Sequence, residues 1–154
     1  MSAAIIGIEE VLNRFARLAA AVSDLDKPLK ASGVYMLGSI ERNFKAQGRP
    51  QKWQALAPST LARRRKGKGQ GGAQILIDTA RLKNSMTSAG AMNVTSSGFT
   101  IGTNVIYAPR QHFGYPGGKG RGRSKTPARP FLMFQTEDAD AIGKIFNRHF
   151  GQSI

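Results

Sequence analysis

Side chains that could perform catalysis are few and scattered in this sequence. The chain has two histidines, His112 and His149, and it has no cysteine. Its nine acidic residues are dispersed. Two of them, Asp138 and Asp140, lie near the expected start of a last helix, where their negative charge interacts favourably with the positive end of the helix dipole. Neither HExxH nor GxSxG occurs, and no set of His and Asp has the spacing of metal ligands. The sequence therefore predicts a protein that is not an enzyme and that has no metal or other cofactor.

His112 is the candidate that comes nearest to a catalytic residue. It lies beside Gln111 and could act as a general base or as a ligand. A lone histidine is more often packed or hydrogen bonded, and no acidic metal cluster accompanies this one. An enzyme such as a nuclease is therefore the poorest of the functional interpretations.

A glycine-rich stretch, YPGGKGRGRSK at residues 115–125, invites comparison with phosphate-binding loops. It lacks the GKS or GKT ending of that motif, and no clear strand leads through it into a helix. Its cations are closer to those of a segment that binds polyanions by charge alone. We therefore interpret GYPGGKGRGRSKTP, residues 114–127, as a docking arm between two ends that are anchored in the core, rather than as a nucleotide site.

Positive charge is the strongest compositional feature. The net charge is +14 at pH 7, and a field of this strength attracts nucleic acid, an acidic protein surface or anionic lipid. The cations are clustered in glycine-rich sequence, where they could form solvated loops or contact surfaces. One block contains Arg63, Arg64, Arg65, Lys66 and Lys68, and the other contains Lys119, Arg121, Arg123, Lys125 and Arg129.

Length and composition limit the remaining possibilities. A chain of 154 residues, 40% of them hydrophobic, predicts a single domain with its own core. The lack of cysteine excludes disulfides and indicates a reducing compartment or one where redox state is irrelevant. The first charges are Glu9 and Glu10, which does not fit a signal peptide. No stretch reaches the roughly 18 apolar residues that span a bilayer, so we expect no membrane partner.

Hydrophobic periodicity and capping residues predict helices along most of the chain. Gly48-Arg49-Pro50 ends the second helix, and Gly33 and Gly38 weaken it. The predicted helices are residues 5–22, about 24–46 with Pro28 in the first turn, a short one from Thr60 into the basic block, a turn holding Leu82 and Met86, a short one within Val105–Phe113, and Glu137–Phe150.

Strands are predicted between these helices, and the resulting order is helix, helix, short helix, small sheet, helix. This order indicates an α+β fold, with the N-terminal helices and a C-terminal helix packed on a small antiparallel sheet and with long, basic, glycine-rich loops. The predicted strands lie near Met86–Ala89, Met92–Ser96, Phe99–Asn104 and Arg129–Phe134. The single domain, residues 1–154, divides into a helical part at 1–66, a flexible loop at 66–74, a sheet-containing part at 75–135 with a flexible loop at 114–126, and a C-terminal helix at 137–150.

Four stretches, in this order and at this spacing, resemble the phage virion morphogenesis family, which includes the tail completion protein S group and the Mu-like G proteins. The resemblance covers about residues 40–135. Ala80 stands where the family usually has glycine, so the turn there need not demand a positive φ. The Gln111-His112 pair is in the reverse of the usual order. The stretches are FKAQGRPQKWQALAPSTLARRR at 44–65, ILIDTARLKNSM at 75–86, TIGTNVIYAPRQHFG at 100–114 and TPARPFLMF at 126–134.

The resemblance implies a structural protein that completes the phage tail and joins it to the head. Its expected partners are the tail tube and head-connector proteins, further copies of itself in a ring, and DNA through non-specific charge contact. We expect it at the neck or tail end of the virion, and in the host cytoplasm during assembly. The alternative is a freestanding protein that binds nucleic acid non-specifically through its basic loops.

The residues predicted to contact partners are mainly cations, with one large aromatic residue. Arginine and tryptophan are enriched among the residues that anchor interfaces. Trp53 could equally be a core residue beneath its loop. Phe131, Leu132 and Phe134 are expected in the core. The predicted partner-binding set is Arg49, Trp53, Arg63, Arg64, Arg65, Lys66, Lys119, Arg121, Arg123, Lys125 and Arg129.

Overall fold

The computed structural model describes residues 8–66, 72–119 and 124–151, and within them it contains six α-helices and one two-stranded sheet. The predicted α+β class is confirmed. The helices are α1 (Ile8–Ser23), α2 (Asp26–Ala46), α3 (Pro58–Lys66), α4 (Arg81–Thr87), α5 (Ala108–Phe113) and α6 (Thr136–Gly151), and the strands are β1 (Met92–Thr95) and β2 (Gly98–Ile101).

Helix α2 is the central element of the fold. Its contacts with α4, α6 and both strands place its apolar side chains in the interior. The packing explains why residue 33 is glycine, because a Cβ atom at this position would overlap the side chain of Met92 on β1. The loss of helix propensity at Gly33 is thus the cost of a close helix–strand approach. The buried apolar residues recur at helical spacing and are Leu29, Met36, Leu37, Ile40 and Phe44.

The sheet is a single antiparallel hairpin. β1 and β2 pair from Met92 opposite Ile101 to Thr95 opposite Gly98. Two serines therefore form the connection between the strands, which is a common hairpin loop length. An isolated two-stranded hairpin is marginally stable in water, and this one packs against α2.

Phe44 lies at the centre of the main core and is fully buried. Its ring meets the indole of Trp53 edge-on, with centroids 5.7 Å apart, and stacks against Phe131 at 5.8 Å. The core thus joins the C-terminal half of α2 to a loop residue and to a residue near the end of the chain. The other core members are Ile40, Ile75, Leu82, Met86, Val105 and Ala108.

Two predicted strands are wrong. Met86 belongs to α4 and is buried with Leu82 four residues earlier, which is the spacing of one helix face, and a 3₁₀ turn at Ala89–Ala91 follows. Arg129–Phe134 is not a strand either. Instead, Asn43 Nδ2 donates hydrogen bonds to the carbonyls of Pro130 and Phe131, at 3.1 and 3.0 Å, so a side chain satisfies this backbone in place of a sheet.

Ala80 has a φ of +57°, which lies in the left-handed region that favours glycine. Ala80 precedes the first residue of α4, and its carbonyl accepts a hydrogen bond from the amide of Asn84 at 2.8 Å. The left-handed conformation therefore belongs to the turn and does not depend on the residue type.

The predicted loops at 66–74 and 114–126 fall partly outside the described residues, which omit 67–71 and 120–123. The described ends of the second loop pair with each other. Tyr115 and Thr126 exchange two backbone hydrogen bonds of 2.8 Å in an isolated antiparallel bridge. This bridge fixes where the connection leaves and rejoins the fold.

Candidate docking surface

Arg129 is a buried cation that holds two loops together. Its side chain is 6% exposed, and its Nε and Nη2 atoms donate hydrogen bonds to the carbonyl of Gln54 at 3.2 and 3.0 Å. Its backbone amide donates to the carbonyl of Gln111 at 2.8 Å. Burial, and then the nearby charge of Arg64, lower the pKa of Arg129. These contacts tie the loop after Trp53 to the segment that enters the core.

Arg64 and Arg63 lie next to each other on α3 but have different surroundings. Arg64 donates from Nη1 to the carbonyl of Gln74 at 2.6 Å, and its Nε lies 3.5 Å from a carboxylate oxygen of Asp78. Arg63 is exposed. Arg64 therefore joins α3 to the start of the next segment, whereas Arg63 is available to solvent.

The two basic blocks meet at one cleft of about 680 Å³. Asp78 is the only carboxylate among the described residues that line it. We call this site the cationic cleft. Its positive side chains are Arg63 and Arg64 from the first block, Lys125 and Arg129 from the second, and Arg81 from the first turn of α4.

The sequence did not single out Arg81, although a signal was present. Arg81 directly follows the segment LIDTA, which the sequence places at a helix start. A cation there lies at the unfavourable end of the helix dipole, which suggests another role for it. In the structure that position is the rim of the cationic cleft.

Arg49 and Trp53 do not line the cationic cleft, and the fold uses both of them. Arg49 Nη2 donates to the hydroxyl of Ser39 at 2.9 Å, and Nη1 donates to Glu137 at 2.6 Å, which joins α2 to α6. Trp53 is buried, and its Nε1 donates to the carbonyl of Pro130 at 3.2 Å. The core alternative for Trp53 therefore has direct support. Partner contacts by either residue stay a prediction.

The remaining predicted cations are placed only in part. Lys119 is exposed and does not line the cationic cleft. Arg65 and Lys66 form the end of α3, and their side chains lie outside the described part of the structure. Arg121 and Arg123, as well as Lys68 of the first block, also lie outside the described residues.

His112 is packed among aromatic rings. Its ring is 5.0 Å from that of Phe131 and 4.6 Å from that of Phe113, edge-on to both. Burial lowers the pKa of His112, because the charged imidazolium loses hydration there. Within residues 8–66, 72–119 and 124–151, no three His, Cys, Asp or Glu residues are grouped to hold a metal ion. These surroundings favour a neutral structural histidine.

Helix α1 leaves its apolar face largely in solvent. Phe15 is 65% exposed and Leu12 is 60% exposed. The helix contacts α6, where His149 Nε2 lies 3.1 Å from the carbonyl of Ala21. The amphipathic helix predicted from the sequence is thus present, but most of its apolar face has no intramolecular partner among the described residues. Ile8, Val11 and Val22 are exposed on the same helix.

In the described part of the chain, no helix combines the length and the apolar character that a membrane crossing requires. A comparison with protein families finds a match that extends over nearly the whole chain. The model of the phage virion morphogenesis family matches residues 6–151, which include every described helix and both strands. No curated protein and no solved structure matches the chain.

Proposed function

The chain belongs to the phage virion morphogenesis family, and we propose from this that it completes the phage tail and joins the tail to the head. Membership in the family supports a role in phage assembly. The proposed partners are the tail tube and head-connector proteins, together with further copies of this chain in a ring. The proposed place of action is the neck or tail end of the virion, which the protein reaches from the host cytoplasm.

The family match carries this proposal, and two surfaces support it. The exposed apolar face of α1 is a surface of the kind that proteins bury against partners. The cationic cleft offers a second, polar surface of defined shape. A protein that joins preformed parts needs contacts on more than one side, and these two surfaces differ in chemistry.

Electron microscopy of lysates from the parent phage with this gene deleted tests the proposal. We expect DNA-filled heads and free tails that remain separate. The intact gene supplied from a plasmid should restore joined particles, which controls for effects on neighbouring genes. Tails of uncontrolled length would move the role to tail termination. Normal joined particles in the deletion lysate would exclude a role in joining.

Non-specific nucleic-acid binding is the second candidate function, and the convergence of the two basic blocks favours it. A protein that acts in this way binds duplex DNA tightly, and its affinity falls by roughly 10³-fold or more between low and physiological salt. Fluorescence anisotropy with a labelled duplex measures both properties. Weak binding at physiological salt, combined with separated heads and tails in the deletion lysate, would support the assembly function and exclude nucleic-acid binding as a second function. Tight binding that disappears when Arg63, Arg64, Arg65, Lys66 and Lys68 are neutralised would support the second function.

A further inference from the structure

We propose that the cationic cleft is a receptor for an acidic segment of a partner protein. The inference rests on the proposed function, since the partner would be another component of the assembling virion. It adds the chemistry of the contact, which is an extended peptide that carries carboxylates and at least one apolar side chain.

The first observation concerns the charge of Arg129. The guanidinium is buried, and its described hydrogen bonds go to the backbone carbonyls of Gln54 and Ala55. Among the described residues it has no ion pair with a carboxylate. A charge removed from water is costly unless it is paired, and carbonyl dipoles compensate it only in part. A carboxylate bound in the cationic cleft would supply the missing negative charge.

The second observation is the surplus of unpaired cations around Arg129. Arg63, Arg81 and Lys125 line the same cleft, and the side chain of none of them forms a hydrogen bond or ion pair with a described residue. Asp78, the one carboxylate among the described lining residues, lies 3.5 Å from Arg64. The cleft therefore presents more positive charge than the described residues neutralise, and its complement is an anion with several charges.

The third observation distinguishes a peptide from nucleic acid. The cleft of about 680 Å³ has the size of a pocket for a few residues, whereas duplex DNA is bound across broad surfaces. Leu56 and Leu76 also line it, and they suit an apolar side chain better than a phosphodiester backbone. Single-stranded nucleic acid requires aromatic rings on which its bases stack, and Tyr107 is the only aromatic residue among the described lining residues. The mixture of cations and leucines favours an acidic, partly apolar peptide.

Two double variants with the same loss of charge test the site. Arg63→Gln with Lys125→Gln removes two cations of the cleft, and Arg148→Gln with Lys30→Gln removes two exposed cations that do not line it. All four side chains are exposed, so both proteins are expected to fold, and circular dichroism and thermal unfolding check this. The comparison separates the cleft from the general positive field of the chain.

The probe is a fluorescein-labelled peptide of about ten residues with four glutamates and two leucines, and anisotropy is measured near 150 mM salt, where long-range attraction is screened. We expect the cleft variant to weaken binding roughly tenfold and the control variant to weaken it less than about threefold. The same peptide with glutamine in place of glutamate should also bind about tenfold more weakly. Equal losses in the two double variants, or no binding of the acidic peptide up to about 1 mM, would overturn the proposal.

Two further measurements fix the location and the ligand class. In two-dimensional NMR of the labelled protein, the backbone amides of Ala55, Leu76 and Thr126 should shift when the acidic peptide is added. Shifts spread over the basic surface without these residues would contradict a defined site. A labelled DNA duplex that binds more tightly than the peptide, and loses the same factor in the cleft variant, would replace the peptide by nucleic acid.

Complementation of the gene-deleted phage separates this inference from the function on which it rests. We expect the control variant to restore joined particles and the cleft variant to fail. If the deletion separates heads from tails but the cleft variant restores them fully, the assembly function stands and the inference is overturned. If the deletion lysate already contains normal particles while the cleft still binds the acidic peptide, the function fails and the peptide site remains.

Discussion

At the residue scale, His112 shows how its surroundings decide the role of a lone polar side chain. Its ring packs edge-on against those of Phe113 and Phe131, and burial lowers the pKa of the imidazole. The folded protein therefore favours the neutral form more than the unfolded chain does. A residue that suggested base catalysis in the sequence is thereby explained by packing.

The stability of the protein should depend on pH through His112. Because the pKa of His112 is lower in the folded state, the unfolded state binds more protons below its own pKa of about 6.5. Stability should therefore be fully present above this pH and should decline as the pH falls below it. Thermal unfolding at several pH values between about 5 and 7.5 measures this, and the decline should be smaller in His112→Asn. An identical decline in both proteins would assign it to other groups.

Ala80 carries a backbone conformation that alanine adopts with difficulty. Its φ of +57° lies in the left-handed region, where glycine is favoured. The residue begins the turn that leads into α4, whose Leu82 and Met86 are part of the core. The core contacts of α4 therefore support a strained residue at its start.

Ala80→Gly should stabilise the protein by about 0.5–1 kcal/mol, since relief of the strained conformation outweighs the added freedom of the unfolded chain. Urea unfolding measures the change. Ala62→Gly is the matched control, because Ala62 lies within α3 and should lose about 1 kcal/mol of stability. A loss of stability in both variants would show that the turn at Ala80 is not strained.

At the scale of elements, the turn after α2 brings Trp53 into the core. The amide of Gly48 donates to the carbonyl of Asn43 at 3.1 Å, and the amide of Trp53 donates to the carbonyl of Gln47 at 2.8 Å. Gly48 has a φ of +108°, and a Cβ atom there would lie 2.6 Å from the backbone nitrogen of Trp53. Only glycine leaves the room that this turn requires.

Gly48→Ala should therefore destabilise the protein by about 1–3 kcal/mol, because it adds both an unfavourable conformation and a clash with backbone atoms. The fluorescence of Trp53, the single tryptophan, should report greater solvent exposure or an earlier unfolding transition in urea. Gly90→Ala serves as the control, since a Cβ atom at Gly90 would contact nothing within 4 Å. Equal stability of the two variants would contradict the role given to this turn.

Long, regular patterns were predictable from the sequence, and contacts between distant segments were not. The periodic apolar residues of α2 and α6 identified both helices, since burial against one side requires helical spacing. The short apolar runs around Met86 and Phe131 did not reveal their structure. Local composition is the same for a buried helix turn, for a strand, and for an irregular segment whose backbone is hydrogen bonded by a side chain.

The candidate site was predictable in part for the same reason. The sequence identified four of the five cations of the cleft as members of basic blocks. It did not show that Arg64 and Lys125 line one cleft, because about 60 residues separate them and only the fold brings them together. The burial of Arg129 could not be predicted from the sequence either. Its hydrogen-bond partners are backbone carbonyls, which every residue type has, so no particular side chain marks them.

At the scale of the whole molecule, the segment from Pro116 to Lys125 connects two residues, Tyr115 and Thr126, that the fold already holds side by side. The bridge between Tyr115 and Thr126 holds both ends, and Arg110 Nε donates to the hydroxyl of Thr126 at 3.0 Å. The framework on either side therefore does not depend on the length of the intervening chain.

Deletion of Gly117 to Ser124 should leave a folded protein that no longer supports virion assembly. The shortened chain joins Tyr115 to Thr126 through two residues, Pro116 and Lys125, which is a length that hairpins commonly use. Thermal unfolding should change by only a few degrees, on the order expected for about 1 kcal/mol. The measurement of function is complementation of the gene-deleted phage.

A variant with Lys119, Arg121 and Arg123 changed to serine keeps the length of the segment and removes its charge. Failure of both this variant and the deletion would show that assembly requires the cations of the segment. Failure of the deletion alone would show that assembly requires the length of the segment and not its charge. Normal infectious particles with the deletion would exclude a docking role for this arm.

The hydrogen bonds from Asn43 to the carbonyls of Pro130 and Phe131 have a consequence for how the protein is made. They connect residues separated by 87 and 88 positions, and Phe44 and Trp53 complete their packing in the same place. The nascent chain on the ribosome cannot close this core until Phe131 has been synthesised. Until then its growing N-terminal part exposes apolar surface, and a premature stop codon before Phe131 yields a chain that lacks this member of the core.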